Sequence, residues 1–342
     1  MSVSLNAIAR KLVEPGKGIL AADESEPTIR KRFEKIGLSS TEELRRDYRE
    51  MLFSAREAMD RYISGAILTE ETLLQSAADG TPFRDMLRAS DVIPGIKVDK
   101  GAFPMPGDTG EKITEGLDGL RQRLAHYAEV GAGFAKWRAV ITINETAPTR
   151  NGIRANAHSL ARYAILCQEA GIVPVVEPEV VGDGEPGNHS LERCAEVTGE
   201  TLEATFSELR LAGVDLSGML LKPNMVMPGV NAPQTASVED VARRTREVLL
   251  AHVPAAVPGI AFLSGGQTDE EATAHLSAMN AMGPLPWPLT FSYGRALQNV
   301  ALKLWAGKRE NFAIAQAAFT HRARMNSLAA RGQWSNELDR AA

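Results

Sequence analysis

The sequence has little cysteine and no long apolar run. Its two cysteines, Cys167 and Cys194, lie in helix-like segments, which argues against a disulfide framework and predicts buried thiols in a reducing compartment. No stretch approaches the roughly 20 apolar residues of a membrane helix. The N-terminal segment MSVSLNAIARKLVEPGKG contains no continuous apolar stretch, so we expect no secretory signal and a cytoplasmic location.

The chain also lacks an excess of positive charge and a metal-binding pattern. Its net charge of −5 is not typical of a surface that binds nucleic acid or an anionic membrane. An anionic ligand would therefore need a local cluster of basic residues. The six histidines form no HxxxH pair and no Cys/His cluster, and no cofactor motif is present, so we expect neither a metal nor a cofactor.

What is present is a recurring unit, in which a short apolar run is followed by a loop and a helical pattern. Runs that are apolar throughout are typical of parallel strands buried on both faces. Eight such units predict a single α/β domain, a (β/α)8 TIM barrel over residues 1–342, with 321–342 as a short C-terminal tail. An open doubly wound sheet is the alternative, and the missing GxGxxG fingerprint disfavours it. The runs are 18–22, 62–69, 92–98, 132–141, 172–177, 217–222, 260–264 and 288–292.

Helix signals separate these runs. Residues 40–43 (STEE) and 268–271 (TDEE) each fit a capping box ahead of a helical pattern. The helix predicted over 156–170 ends at Gly171, a favourable C-terminal cap.

Two long loops rich in Gly and Pro follow the third and fifth runs, at 99–111 and 179–190. Long loops in a compact domain are usually functional or disordered. Both loops lie at the carboxyl ends of predicted strands, where barrel enzymes build their active sites.

Charged residues lie at the ends of four consecutive runs. Residues two apart on a strand share a face, so each close pair points the same way. One such charge alone is more typical of a strand reaching solvent or of a structural ion pair. Several together are costly to bury unless they pair with each other or with a ligand, which predicts a charged pocket in the barrel mouth. The residues are Lys97, Asp99, Lys136, Arg138, Glu177, Glu179 and Lys222.

Lys222 is the candidate nucleophile. A lysine attacks a carbonyl only when it is uncharged, and burial together with a neighbouring cation such as Lys136 favours the uncharged form. Such an amine forms a Schiff base, which turns the carbonyl into an electron sink. The first run ends with Asp23 and Ser25 on one face. Asp23 is either a base or the N-cap of the following helix, and the local sequence alone favours the cap.

The last two runs end in FLSGGQT and FSYGRAL. Backbone amides of glycine-rich loops and an arginine fork are suited to a phosphate, and a barrel's usual phosphate site follows strands seven and eight. Either loop alone also fits an ordinary turn. The candidate residues are Ser264, Gly265, Gly266, Ser292, Gly294 and Arg295.

Seven motifs in collinear order resemble class I fructose-bisphosphate aldolase, and the resemblance runs from about residue 9 to about residue 334. They are GILAADES, GIKVDKG, GAGFAKWRAVI, ARYAILCQEAGIVPVVEPE, LLKPNM, FLSGGQ and TFSYGRALQ. The resemblance implies reversible cleavage of fructose 1,6-bisphosphate to dihydroxyacetone phosphate and glyceraldehyde 3-phosphate through a lysine Schiff base. It also implies a metal-independent, cytosolic homotetramer of glycolysis and gluconeogenesis.

The resemblance implies a role for each matching residue. Lys222 would form the Schiff base, and Glu177, with Glu179 close by, would act as acid and base in the loss of water. Asp23 would take the proton from the C4 hydroxyl, which reverses the preference for a cap, and Lys136 would polarise the intermediates. Ser264, Gly265, Gly266, Ser292 and Arg295 would bind the 1-phosphate, while Ser25, Thr28, Arg32 and Arg138 would hold the other end and Lys97 would line the pocket.

The sequence departs from the family pattern in three places. No tyrosine follows Tyr293, whereas eukaryotic members end in one that assists protonation of the enamine, and Glu26 and Pro27 replace small residues. Ser217 stands where a glutamate is usual. Two other hypotheses stay open: a different Schiff-base barrel, such as a transaldolase or sugar-acid aldolase, and an inactive barrel that serves as a scaffold.

Overall fold

In a computed structural model, residues 4–107, 110–182 and 187–340 are described, and they form a closed barrel of eight parallel strands. Each strand pairs with the next along the chain, and β8 pairs with β1. The barrel prediction is confirmed and the open sheet is wrong. The strands are β1 (Gly18–Ala22), β2 (Ile63–Leu68), β3 (Ile93–Lys97), β4 (Phe134–Ile141), β5 (Val173–Val180), β6 (Leu220–Leu221), β7 (Ile260–Phe262) and β8 (Leu289–Tyr293).

The fifth strand is longer than the apolar pattern predicted. The run 172–177 continues as β5 to Val180, because residues 177–180 stay in register with residues 138–141 of β4. The first run, 18–22, has the same bounds as β1. An apolar sequence pattern stops at the first charged residue, but the strand continues as long as its backbone pairs with a neighbouring strand.

The sixth strand is shorter than predicted. Within the run 217–222, the first residues belong to a turn of 3-10 helix, Leu216–Gly218, and only Leu220–Leu221 are paired as a strand. The Asp215 side chain accepts a hydrogen bond from the backbone N–H of Ser217 at 2.9 Å, which stabilises the turn against an extended chain.

Helices cover the outside of the barrel, and additional helices lie at its ends. Among the described residues, no helix is both long and apolar enough to cross a lipid bilayer. The helices are α1 (Leu5–Leu12), α2 (Glu26–Glu34), α3 (Glu42–Phe53), α4 (Arg56–Tyr62), α5 (Glu70–Leu74), α6 (Phe83–Ala89), α7 (Leu120–Glu129), α8 (Arg150–Glu169), α9 (Leu191–Leu211), α10 (Val238–His252), α11 (Asp269–Ala281), α12 (Arg295–Trp305), α13 (Phe312–Ala329) and α14 (Asn336–Arg340), with a 3-10 turn at Arg309–Asn311.

Two of the three helix-end predictions are confirmed. The capping box at Thr268 forms with Glu271, and α8 ends before Gly171, whose φ is +73°. The box at 40–43 is wrong by one residue. Thr41 is the cap and accepts from the N–H of Leu44 at 3.1 Å, so no glutamate stands at the third helical position.

The predicted tail at 321–342 requires a correction. Residues 321–329 complete α13, since the alanine-rich segment continues the helix without a break. Arg322 is buried and donates to the carbonyl of Asp269 at 3.0 Å in α11. Asp339 of α14 in turn accepts from Arg322 at 2.7 Å, so α14 also packs on the barrel. Residues 341–342 lie outside the described residues.

The two predicted long loops are partly regular structure. In the loop 99–111, Ala102–Pro104 forms an antiparallel hairpin with Lys112–Thr114. The loop 179–190 begins inside β5, and Ser190 at its end caps α9. Residues 108–109 and 183–186 of these loops lie outside the described residues.

The barrel interior is filled by apolar side chains at its amino end. Phe134 of β4, Val175 of β5 and Leu220 of β6 belong to this cluster, and Leu12 of α1 closes it from below. Because inward-facing positions on a strand are two residues apart, Lys136, Glu177 and Lys222 point into the same interior one level higher. The fold therefore carries these charges directly above a dry core.

Candidate active site

A cavity of about 430 Å³ opens at the carboxyl ends of the strands. Every residue that the sequence predicted as catalytic or substrate-binding lines it, with the exception of Gly266. Gly266 has a φ of +74° and forms the turn behind the loop, so its backbone conformation favours glycine for a local reason. The cavity is lined by Ala21, Asp23, Glu24, Ser25, Thr28, Lys31, Arg32, Lys35, Lys97, Lys136, Arg138, Glu177, Glu179, Lys222, Leu263, Ser264, Gly265, Ser292, Gly294 and Arg295.

Lys136 lies at the centre of the charged cluster. Its Nζ is 2.9 Å from Asp23 Oδ2, 3.2 Å from Glu177 Oε2 and 3.8 Å from Asp99 Oδ2, and its side chain is buried. Burial alone would lower the pKa of Lys136, but the three carboxylates outweigh it and raise the pKa above its ordinary value. Lys136 is thus a fixed cation that holds three strand ends together.

Lys222 contacts the other oxygen of the same glutamate. Its Nζ lies 3.1 Å from Glu177 Oε1, and both side chains are buried. Burial raises the pKa of Glu177, but Lys136, Lys222 and Arg138 outweigh it and lower the pKa below its ordinary value. The sequence predicted a pocket that holds both cations and carboxylates, and in the structure one of these carboxylates contacts Lys222 directly. An amine within hydrogen-bond reach of a base is the arrangement of an activated nucleophile.

Asp23 does not cap the helix that follows it, so the local preference for a cap was wrong. Ser25 occupies the N-cap position of α2, while Asp23 turns inward to Lys136. Burial raises the pKa of Asp23, but Lys136, Lys222 and Lys97 outweigh it and lower the pKa below its ordinary value. A buried, ionised carboxylate beside the cavity is able to accept a proton from a ligand hydroxyl.

Of the predicted same-face pairs, one is in direct contact, and the members of the other two all line the cavity. Lys97 Nζ lies 3.7 Å from Asp99 Oδ1, and Lys97 is level with Lys136 in the register of β3 and β4. Arg138 is level with Glu177 in β5 and donates from Nε to Glu179. Glu179 raises the pKa of the half-exposed Arg138 guanidinium despite partial burial. Each of these cations contacts a carboxylate, which offsets the cost of burying the charges.

The loops after β7 and β8 form the end of the cavity that the sequence assigned to a phosphate. Ser292 is buried and its Oγ has no hydrogen-bond partner, which a ligand oxygen would supply. A Cβ added at Gly265 would lie 3.0 Å from Glu179 Oε1, so glycine allows the loop to approach the site closely. Arg295 begins α12, whose first N–H groups are the usual anchor of an anion.

The wall of the cavity beside α2 contains residues that the sequence analysis missed. Ser25 Oγ and Thr28 Oγ1 lie 2.9 Å apart. The Arg32 guanidinium forms an ion pair with Glu24, which also contacts Arg49 at 2.7 Å. Burial raises the pKa of Glu24, but the two arginines outweigh it and lower the pKa. Arg32 is therefore partly engaged within the protein.

Glu24, Lys31 and Lys35 line the cavity without having been predicted. Glu24 directly follows Asp23 within the motif GILAADES, so its place in that motif was a signal that could have predicted it. Lys31 and Lys35 lie three and seven residues after Thr28, which puts the three side chains on one face of a helix. Among the described residues, no group of three or more His, Cys, Asp and Glu side chains is arranged to hold a metal ion.

The comparisons with known proteins agree with this geometry. The family model described as fructose-bisphosphate aldolase class-I matches residues 4–342. A protein of Xanthomonas axonopodis pv. citri, named probable fructose-bisphosphate aldolase class 1, is 55% identical over 327 residues, which cover 95% of this chain and 97% of the relative. Fructose-bisphosphate aldolase B of Gallus gallus is 50% identical over 342 residues, covering 99% and 93%.

The fold is also that of a solved structure. Fructose-bisphosphate aldolase from Plasmodium falciparum, solved in complex with TRAP and a small-molecule inhibitor, superimposes with a TM-score of 0.93. It is 48% identical in sequence, and the match covers 97% of this chain and 95% of that one. The barrel, the charged mouth and the near full-length matches lead to one conclusion. The chain belongs to the class-I fructose-bisphosphate aldolase family.

Proposed function

We propose that the chain catalyses the reversible aldol cleavage of fructose 1,6-bisphosphate to dihydroxyacetone phosphate and glyceraldehyde 3-phosphate through a Schiff base on Lys222. The observation that carries the proposal is the connected row Lys222–Glu177–Lys136–Asp23, with contacts of 3.1, 3.2 and 2.9 Å. It contains a nucleophile, an acid–base group, a fixed cation and a second base in one buried cavity. These are the groups that this reaction requires.

In the first step, Lys222 attacks the ketone carbon of the open-chain sugar. Glu177 accepts the first proton that the Lys222 nitrogen releases, which the 3.1 Å contact makes direct, and a second proton of this nitrogen moves to the alkoxide oxygen to complete the carbinolamine. The protonated Glu177 then returns the proton to the hydroxyl of the carbinolamine, and water leaves as the iminium forms. Lys136 stabilises the developing negative charge on oxygen because it is held as a cation by its three carboxylate neighbours.

In the second step, the C3–C4 bond breaks. Asp23 takes the proton of the C4 hydroxyl, the electrons of the C3–C4 bond move into the iminium, and glyceraldehyde 3-phosphate departs. An enamine remains on Lys222. Its protonation at C3, followed by hydrolysis, releases dihydroxyacetone phosphate and regenerates the amine. The same steps in reverse form the hexose.

Two groups of polar residues in the cavity would hold the two phosphates. Ser292, with its unpartnered Oγ, and the loop at Gly265 support the 1-phosphate site, together with the start of α12 at Arg295. Ser25 and Thr28 at the start of α2 support the second phosphate, with their hydroxyls 2.9 Å apart. A pocket with two such groups favours this sugar over the substrates of a transaldolase or sugar-acid aldolase, which lack a second phosphate.

We further propose a metal-independent and cofactor-independent homotetramer in the cytoplasm, on the basis of the family resemblance. Its partner is the phosphorylated sugar, and we propose no nucleic acid and no membrane partner, in keeping with the net charge of −5. Sedimentation of the purified protein would give the oligomeric state.

Borohydride trapping tests the proposed reaction. Reduction in the presence of dihydroxyacetone phosphate is expected to add the reduced adduct to Lys222, as read by peptide mass mapping. Lys308→Met, a change at an exposed lysine outside the cavity, is the matched control and should be trapped like the unaltered protein. An adduct absent from residue 222 would favour an inactive scaffold.

The substrate preference requires a separate measurement. The rates with fructose 1,6-bisphosphate and with fructose 1-phosphate are expected to differ in favour of the bisphosphate, since Ser25 and Thr28 offer hydroxyls to the second phosphate. Equal values of kcat/KM would mean that the second phosphate gains nothing from α2.

A further inference from the structure

The seam between β5 and β6 holds Glu177 and Lys222 side by side, yet its backbone ladder is interrupted there. Lys222 donates its N–H to the carbonyl of Val176 at 2.8 Å. In a regular parallel ladder, residue 178 would next donate to the carbonyl of Lys222. Residue 178 is Pro178, which has no N–H to donate, so this bond between the two strand ends is missing.

The side chain of Asn224 supplies the next hydrogen bond of this seam. Val180 donates its N–H to Asn224 Oδ1 at 3.0 Å, at the step where a regular ladder would use the backbone carbonyl of residue 224. The bond joins a position three residues after Glu177 to a position two residues after Lys222. The side-chain amide of Asn224 thus joins the two strand ends at the step after Pro178.

The amide of Asn224 is held rigidly. Asn224 is buried, and its Nδ2 donates to the carbonyl of Met225 at 3.0 Å and to Thr198 Oγ1 of α9 at 3.2 Å. Both donors and the acceptor oxygen are therefore engaged, which fixes the rotamer and the assignment of oxygen and nitrogen. Asn224 is not among the residues that line the cavity.

We propose that Asn224 is a positioning residue, whose side chain replaces the missing backbone hydrogen bond between β5 and β6 and so sets the Nζ of Lys222 against Glu177. The inference rests on the proposed function, since it concerns the same amine. The Lys222–Glu177 contact of 3.1 Å depends on the relative position of two strand ends with few other bonds between them. A misplacement of about 1 Å at a reacting group costs on the order of 10²-fold in rate.

Asn224→Ala tests the proposal, with Thr198→Val as the matched control. Asn224→Ala removes the bond to Val180, and kcat is expected to fall by about 10- to 100-fold. KM for fructose 1,6-bisphosphate should stay within about threefold, because the phosphate-binding residues belong to other strands and to α2. The rate of borohydride trapping should fall in parallel with kcat. Thr198→Val removes one of the two bonds that Nδ2 donates and leaves the bond from Val180 intact, so it should lower Tm while kcat stays within about twofold.

Asn224→Asp sharpens the comparison. It keeps an oxygen that accepts from Val180 but buries a charge, so kcat should recover relative to Asn224→Ala although Tm stays low. Asn224→Ser, whose shorter side chain does not reach Val180, is measured beside Asn224→Ala and carries the same expectation. It serves in place of the alanine variant if that variant does not fold.

The proposal is overturned if Asn224→Ala and Asn224→Ser lower Tm as Thr198→Val does while kcat and the trapping rate stay unchanged. A rise in KM at constant kcat would also overturn it, because it would assign Asn224 to substrate binding. Failure of the proposed function looks different. In that case the unaltered protein itself would give no adduct on Lys222.

Discussion

The two ends of the barrel interior are built by the same strands and differ completely in chemistry. On β4, Phe134 faces the apolar end and Lys136 the charged end, while Leu220 of β6 and Lys222 just after that strand do the same. The two levels are about 7 Å apart, since a strand rises about 3.3 Å per residue. Burial of the apolar side chains stabilises the fold, whereas burial of the charged side chains costs solvation free energy, which only their ion pairs offset. The residues that stabilise the barrel and the residues that carry the chemistry thus lie at adjacent levels of its interior.

Lys222→Met tests most sharply whether the charged level serves catalysis and not stability. It removes the proposed nucleophile, so kcat should fall by about 10⁴-fold or more. The fold should persist, because Glu177 keeps Lys136 as a partner at 3.2 Å. Steady-state kinetics and thermal unfolding check both parts. Global unfolding of the variant would instead make Lys222 a structural residue and break the division between the two ends.

The complementary change at the apolar level is Phe134→Ala. Phe134 is fully buried in the interior cluster, so the free energy of unfolding should fall by about 3–5 kcal/mol. The kcat of the molecules that remain folded should change by less than about tenfold. Denaturant unfolding and kinetics at low temperature measure the two effects. Loss of activity without loss of stability would mean that the apolar level also positions the catalytic residues.

A smaller effect is expected from pH, and only at the charged level. Asp23 and Glu177 have pKa values below their ordinary 3.8 and 4.5 in the folded protein. Their contribution to stability is therefore complete above these values and is lost as the pH falls below them. Lys136, with a raised pKa, contributes fully below its ordinary 10.5 and loses its contribution only at higher pH. The contribution of these three groups to stability should be flat between these limits.

Asp23→Asn checks this pH dependence. The variant has one fewer carboxylate with a lowered pKa, so below pH 3.8 its Tm should fall less steeply than that of the unaltered protein. Phe134→Ala, as a control from the apolar level, should keep the original slope. Parallel curves for the unaltered protein and Asp23→Asn would refute a stabilising role of the ionised Asp23.

The smallest expected effect is that of a chelator. Incubation with EDTA should leave kcat unchanged within error, because the proposed Schiff base on Lys222 serves as the electron sink. Inactivation by EDTA, with recovery on addition of a divalent metal, would contradict the proposed chemistry.

Much of the site was accessible from local patterns. Alternation along a strand is a property of the extended backbone, so Lys136 with Arg138 and Glu177 with Glu179 were predicted on one face. The glycine-rich loops after β7 and β8 followed from the count of eight units. The cap preference for Asp23 failed because a local rule ignores a cation brought from another strand. Likewise, the tail at 321–342 was predicted from position rather than from helix propensity.

The sequence by itself determined the strand faces, the number of units and the family, because these depend on residue types at short spacings. Only the tertiary structure decided which charges meet, since Asp23 and Lys136 are distant in the chain and barrel closure joins them at 2.9 Å. The same holds for the bond between Val180 and Asn224. Partners of this kind are chosen by the relative position of strands, and no local pattern contains that position.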